Sequence, residues 1–196
     1  MGHTFIGLGN PGDTYRETRH NIGARMLEAF RVAHGFSEWK NDKTKHALMS
    51  KGDINGETVV LVFPQTFMNQ SGLCAPLVAK TKKAIEHVIV IYDDLDLPRG
   101  YAKISFGRSS GGHNGLESVI NGLKTKDFIR VRVGVSGITS TGKIRKPKGE
   151  KKVLDFLLGT ISGSEEAEYK KIAKHVDTLL LDIVEHGWMK AASMQH

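Results

Sequence analysis

The 196-residue sequence predicts one α/β domain built on a twisted mixed β-sheet flanked by helices. Three observations predict it. Residues 58–63 (TVVLVF) and 88–92 (VIVIY) are apolar on both faces, as central strands of a doubly covered sheet must be. Segments with helical spacing of apolar residues stand between the strand-like runs, which is the alternation of a layered α/β architecture. Asn55-Gly56 lies between two strand-like runs and specifies a tight hairpin, so part of the sheet is antiparallel.

Taken in order, Phe5, Ile6 and Leu8 form the first buried strand, and Asn10-Pro11-Gly12-Asp13 turns the chain. A polar stretch, 14–21, carries His20. Ile22, Met26, Leu27 and Phe30 then share one face of a helix that should stop near Gly35. Residues 39–45 are polar and expected as a loop, followed by the hairpin strands at about 46–51 and 58–63. The second runs into the loop PQTFMNQSG, after which a helix is expected over about 70–83 with Leu73, Leu77 and Val78 inward. The strand VIVIY ends in Asp93-Asp94-Leu95-Asp96, and 101–106 alternates as a half-exposed strand does. SSGGHNG precedes a helix carrying Leu116, Val119, Ile120 and Leu123. In 129–135 Ile129, Val131, Val133 and Val135 fall on one face, with Arg130 and Arg132 on the other. Residues 137–152 are glycine-containing and basic, expected as a mobile loop inside the single domain, 1–196. The end, about 164–190, is an amphipathic helix with Ser164 as its cap and Ile172, Val176, Leu179, Leu180 and Ile183 on its inner face.

Lys and Arg number 28 against 21 Asp and Glu, a net charge of +7 that points to an anionic partner, nucleic acid first. No apolar run approaches the ~20 residues of a membrane span. The first strand begins close to Met1, so no signal or transit peptide is expected. The one cysteine, Cys74, excludes an internal disulfide framework and suits a reducing, cytoplasmic setting. There is no HExxH and no cysteine pair, so neither a metal site nor a cofactor is expected.

Two motifs match on paper and fail on physics. Gly7-Leu8-Gly9-Asn10-Pro11-Gly12 matches the dinucleotide fingerprint, but helical periodicity starts about ten residues later than a pyrophosphate-binding turn requires. Glu28, near where a ribose-binding acid would stand, falls inside the helix. Gly107-Arg108-Ser109-Ser110-Gly111 matches the nucleophile elbow, but the strand before it is half exposed, and the histidines that follow, His175 and His186, lie on the C-terminal helix. A serine esterase using Ser109 stands as an alternative.

A third constellation is a convergence. Three strands end in loops holding Asn10 and His20, Met68 and Asn69, and Asp93, Asp94 and Asp96; a fourth loop adds Gly111, Gly112, His113 and Asn114. If the strands are neighbours, these groups share one crevice. Amides there hold carbonyls or hydroxyls, a histidine takes a proton near neutral pH, and a carboxylate fixes its tautomer. That set suits hydrolysis by an activated water. Singly, each residue has an ordinary structural explanation as a turn former, a helix cap or a surface group.

GLGNPG…Y…TRHNIG, FMNQSG, DDLDLPRG and GGHNGL, in this order and spacing, resemble bacterial-type peptidyl-tRNA hydrolase from Phe5 to about Gly134. The resemblance implies a monomeric, cytoplasmic enzyme that cleaves the ester between a peptide and the 3′-terminal ribose of tRNA, recycling tRNA from stalled translation. It implies His20 as general base, Asp93 as the group that orients it, and Asn10 and Asn69 as positioners of peptide and ribose. Asn114 would orient the water or the ester carbonyl, Gly111 would admit the backbone closely, and Tyr15 and Met68 would line the pocket. Lys103 and Arg132 would clamp the 5′-phosphate and acceptor stem beside the 3′-CCA end. The chain departs from the family at Val135-Ser136-Gly137-Ile138 and in the basic loop after it, where Lys146 and Lys148 are expected to add phosphate contacts. A catalytically silent tRNA-binding relative is the second alternative.

Overall fold

The computed structural model describes residues 2–194. Strands β1 (His3–Gly7), β2 (Lys40–Asp42), β3 (Ala47–Ile54), β4 (Glu57–Pro64), β5 (Val88–Pro98), β6 (Ala102–Phe106) and β7 (Ile129–Ile138) form one sheet in the order β2-β3-β4-β1-β5-β7-β6. A short β8 (Ile144–Arg145) pairs with the end of β7. The four central strands β4, β1, β5 and β7 run parallel, and β2, β3 and β6 run antiparallel to their neighbours. The sheet is therefore mixed.

Both faces are covered, which is why β1, β4 and β5 read as continuous apolar runs. On one face Phe5, Leu61, Ile91 and Val131 meet Leu27 and Phe30 of α1 (Ile22–Ala33) and Ile172 and Leu180 of α6 (Gly163–His186). On the other, Ile6, Val62 and Val90 meet Met68, Ala75 of α2 (Ala75–Val78) and Leu116 and Val119 of α4 (Asn114–Leu123). Shorter helices α3 (Lys82–Ile85), α5 (Glu150–Leu158) and α7 (Trp188–Ser193) complete the layers. Ile172, Val176, Leu179, Leu180 and Ile183 are all buried as expected, joined by Tyr169. At ~1.5–3 kcal/mol for each buried large apolar side chain, this face holds α6 to the sheet far more firmly than helix propensity would.

The glycines at the start of the chain serve packing. A Cβ on Gly7 would lie 2.7 Å from the Gly23 carbonyl oxygen, and one on Gly23 would lie 2.2 Å from that of Ile91. Backbone of α1 thus rests on backbone of β1 and β5, a contact only glycine permits, and the dinucleotide fingerprint is explained without a dinucleotide. Asn55 and Gly56 both have positive φ, as the hairpin turn between β3 and β4 demands.

Five expectations are corrected. Residues 70–83 are not one helix: a 3₁₀ turn, Met68–Leu73, gives way to α2 and α3, because Pro76 removes a donor and its ring excludes the preceding helical turn. Leu73 and Leu77 are consequently exposed. The polar 39–45 stretch contains the edge strand β2. β5 continues through the aspartates to Pro98, slipping register against β7 between Asp94 and Pro98. Residues 137–152 hold the β7–β8 hairpin and the first turn of α5, where a loop was expected. Finally, α6 is capped by Ser162 in a reciprocal box with Glu165, two residues before the expected Ser164.

Candidate active site

The parallel strands β4, β1 and β5 are direct neighbours, the condition under which the segments leaving their carboxyl ends were expected to converge. That rim is where ligands bind in open α/β sheets. β1 delivers Asn10, β4 delivers Met68 and β5 carries Asp93. A 3₁₀ turn, Arg19–Asn21, places His20 just before α1, and the N-terminus of α4 brings His113 and Asn114.

At the centre, His20 Nδ1 lies 2.8 Å from Asp93 Oδ1, and His113 Nε2 lies 2.9 Å from the same oxygen. Relative exposure is 5% for His20 and 2% for Asp93, so water screens this cluster poorly. Burial alone would push the His20 cation down, but the Asp93 charge and hydrogen bond outweigh it and raise the pKa above its ordinary 6.5. Burial alone would push the Asp93 carboxyl up, yet the charges and hydrogen bonds of the two rings hold it well below the usual carboxylate range. An ionised carboxylate only accepts hydrogen bonds, so His20 Nδ1 is the donor and the lone pair of the neutral ring is on Nε2. That is the tautomer a base needs. His20, Asp93 and His113 offer ligand atoms within 4.8 Å of one another, a set also suited to a metal ion; here one nitrogen of each ring faces the shared carboxylate oxygen.

Asn10 is 7% exposed, and its Oδ1 accepts from the Met68 backbone N–H at 2.7 Å. The amide is thereby oriented, and among the described residues its Nδ2 donates no hydrogen bond. Asn21 holds the Asn10 backbone from beneath, its Oδ1 accepting from Asn10 N–H at 2.9 Å and its Nδ2 donating to Asn10 C=O at 2.8 Å. Met68 is buried against Gly115, while Asn69, Gly111 and Asn114 are exposed on the rim and Tyr15 is half-buried. Lys103 on β6 is exposed and lies directly across from Arg132 on β7. Arg132 is not the free outward cation that strand alternation suggested. This face is covered, and its Nε donates to Asp94 Oδ2 at 2.6 Å. Arg130 is fully buried over the Phe128 ring and donates to the carbonyls of Ser109 and Lys126.

The strand–turn–helix of a nucleophile elbow is absent at Ser109, since α4 starts only at Asn114, and the Ser109 carbonyl is held by Arg130. Cys74 is buried, its thiol pushed up to about 12 by burial, as an inert group would be. Lys146 and Lys148 are both exposed, and Lys146 is paired with Asp96.

Phe67, Asn21 and Arg19 were not expected as site residues. Phe67 is 59% exposed with its ring 6.4 Å from that of Tyr15, an unburied aromatic pair on the rim. Asn21 acts through contacts 11 residues distant, for which no local pattern exists; His113, which the sequence placed in the crevice without a role, reaches Asp93 20 residues away. Arg19, next to His20, bonds Glu165 at 2.6 Å and the carbonyls of Phe156 and Gly159, and Glu165 also pairs with Arg99. The C-terminal segment thus grips the chain beside His20.

The sequence model of one protein family, described as peptidyl-tRNA hydrolase, matches residues 4–196. The chain is 40% identical over 165 residues to a protein named peptidyl-tRNA hydrolase from Listeria welshimeri, covering 84% of this chain and 83% of that one. It is 34% identical over 187 residues to one so named from Syntrophotalea carbinolica, covering 95% and 92%. Among solved structures, the crystal structure of peptidyl-tRNA hydrolase from Acinetobacter baumannii superposes with a TM-score of 0.86 at 27% identity, over 98% of this chain and 93% of that chain.

Proposed function

The chain belongs to the peptidyl-tRNA hydrolase family, and from that premise we propose how it cleaves peptidyl-tRNA: His20 is the general base. Its Nε2 takes a proton from water as the water oxygen attacks the ester carbonyl carbon. The tetrahedral intermediate then collapses, the bond to the ribose oxygen breaks, and the His20 cation returns the proton to that oxygen. The peptide acid releases water's second proton to solvent as it ionises, and peptide carboxylate and tRNA with a free ribose hydroxyl leave. The observation that carries this reading is the buried His20–Asp93 hydrogen bond of 2.8 Å, which fixes the basic tautomer and steadies the cation.

A positioned base contributes ~10²–10⁴-fold and one donor to a developing oxyanion ~10²–10³-fold. An aminoacyl ester is already labile, so this chemistry needs neither a covalent enzyme intermediate nor a metal. Asn10 Nδ2 and the Asn114 amide are the donors for peptide and ester oxygens, and Asn69 takes the terminal ribose. Gly111 (φ 62°) keeps the rim open. Tyr15 and Phe67 form the platform for the terminal base, where stacking supplies ~1–3 kcal/mol, and Met68 lines the pocket beside Asn10. Lys103 and Arg132 hold the 5′-phosphate end, with Arg132 kept in place by Asp94, and Lys148 extends the phosphate contacts. The protein acts as a monomer in the cytoplasm; among the described residues no helix is long and apolar enough to cross a membrane.

The test is peptide release from an N-acetylaminoacyl-tRNA beside the unblocked aminoacyl-tRNA, using the wild type and Ser109→Ala. Selective cleavage of the blocked substrate, equal in both proteins, is expected. Loss of cleavage in Ser109→Ala would favour a serine esterase, and binding without cleavage by the wild type would make it a silent relative.

A further inference from the structure

The crevice contains a second histidine that the mechanism above does not use. His113 is the N-cap of α4: with φ −77° and ψ 110°, its Nδ1 accepts the Leu116 backbone N–H at 3.1 Å. A ring nitrogen that accepts a hydrogen bond carries no proton, so the ring proton of His113 is on Nε2. That nitrogen lies 2.9 Å from Asp93 Oδ1. The start of a helix therefore dictates the tautomer of this ring and aims its N–H at the carboxylate.

We propose that His113 is a positioning residue of the hydrolysis: locked by the α4 cap, it donates Nε2–H to Asp93 and thereby fixes the carboxylate that orients His20. The inference rests on His20 being the base. Two rings share one oxygen, and their centroids are 4.9 Å apart. With His113 in place, Asp93 cannot swing away from His20 without leaving a buried N–H unpaired. The second donor also draws on the Asp93 charge, so that the proton His20 takes from water is held firmly enough to be accepted and loosely enough to be returned. Gly115 enforces the arrangement: a Cβ there would lie 2.3 Å from Met68 Sδ and 3.1 Å from His113 Cε1.

The other groups in electrostatic reach are accounted for. Tyr92 packs edge-on to His113 at 5.1 Å. Asp94 is paired with Arg132. From α6 come Tyr169 and Glu165, the latter paired with Arg19 and Arg99. Each remaining charge has its own partner, which leaves His113 as the second donor that sets the character of Asp93.

The discriminating variant is His113→Asn. Asparagine is among the best N-caps, so it keeps the bond to Leu116 N–H, but it is too short to reach Asp93 as well. Measured on an N-acetylaminoacyl-tRNA, His113→Asn should melt like the wild type and keep its KM. Its kcat should fall about tenfold, the scale of one hydrogen bond to a charged group. The acid limb of its kcat–pH profile should move to higher pH, because Asp93, relieved of one donor, binds the His20 proton more tightly. An unchanged kcat and pH limb in a folded His113→Asn would overturn the proposal and leave His113 as a cap alone. Independently of any variant, two-bond ¹H–¹⁵N NMR correlations should show His113 protonated at Nε2 and bare at Nδ1, and the opposite tautomer would overturn it. Because the NMR experiment reads His113 directly, it separates failure of this inference from failure of His20 as base, which His20→Ala tests.

Discussion

Asn21 and Asn10 are joined by two hydrogen bonds across the first loop, Asn10 N–H to Asn21 Oδ1 at 2.9 Å and Asn21 Nδ2 to Asn10 C=O at 2.8 Å. The pair works as a peptide-like rung between a turn and the start of α1. It leaves the Asn10 side chain free to take its own orientation from Met68 N–H. Both residues are buried, so replacing Asn21 by Ala strands two backbone groups away from water at about 1–3 kcal/mol each. Asn21→Ala should therefore lower the urea midpoint and raise KM by loosening Asn10. A wild-type midpoint and KM would show that the rung is dispensable.

The pH dependence has a definite sign. His20 has a folded pKa above 6.5, so its activity as a base should appear along an acid limb of kcat above pH 6.5. Its contribution to stability is complete below 6.5 and fades as pH rises through the folded value. Asp93→Asn removes the charge that raises it and leaves the burial that lowers it. The limb should then fall below 6.5 while kcat drops by ~10²-fold or more, since the base also loses its orientation. A limb that stays in place would dissociate it from His20.

Much of this site was legible in the sequence. The apolar runs at β4 and β5 placed both strands centrally, and Asn10, Met68 and Asp93 were expected at one edge if these strands and β1 were neighbours, which the strand order supplies. The failures have physical reasons. Alternation in β7 put Arg130 and Arg132 outside, but the segments on either side of α4 supply the Ser109 and Lys126 carbonyls that hold Arg130, and Asp94 holds Arg132. Arg19, Glu165 and Arg99 meet across 146 and 66 residues, which no local pattern can announce.

Glu165 is buried and joins Arg19, Arg99 and the Ser162 cap. Burial pushes its carboxyl up, but the Ser162 bonds and Arg19 outweigh this and hold it below the usual 4.5. Its stabilisation is thus present above pH 4.5 and lost as pH falls through the folded value. Glu165→Ala should cost about 3–5 kcal/mol by leaving the Arg19 guanidinium without its carboxylate and removing the partner of the Ser162 cap, while Arg99 keeps Glu168. Chemical denaturation at pH 7 checks it, and a cost within about 0.5 kcal/mol, typical of a surface substitution, would contradict the network.

Lys103→Ala should weaken tRNA binding and flatten its salt dependence by about 0.7–0.9 in logarithmic slope, one phosphate contact, with kcat preserved. Arg132→Ala should do the same and also release Asp94. Titrations of tRNA at several salt concentrations test both, and an unchanged slope with reduced kcat would move these residues from the phosphate clamp to the chemistry.

The central claim is that His20 activates the water. Single-turnover cleavage of an N-acetylaminoacyl-tRNA by the wild type and His20→Ala, with tRNA affinity measured alongside, tests it most directly. A loss of ~10²–10⁴-fold in rate at unchanged affinity and fold is the predicted result. Cleavage by His20→Ala at the wild-type rate would contradict the assignment and send the search for the base elsewhere along the rim.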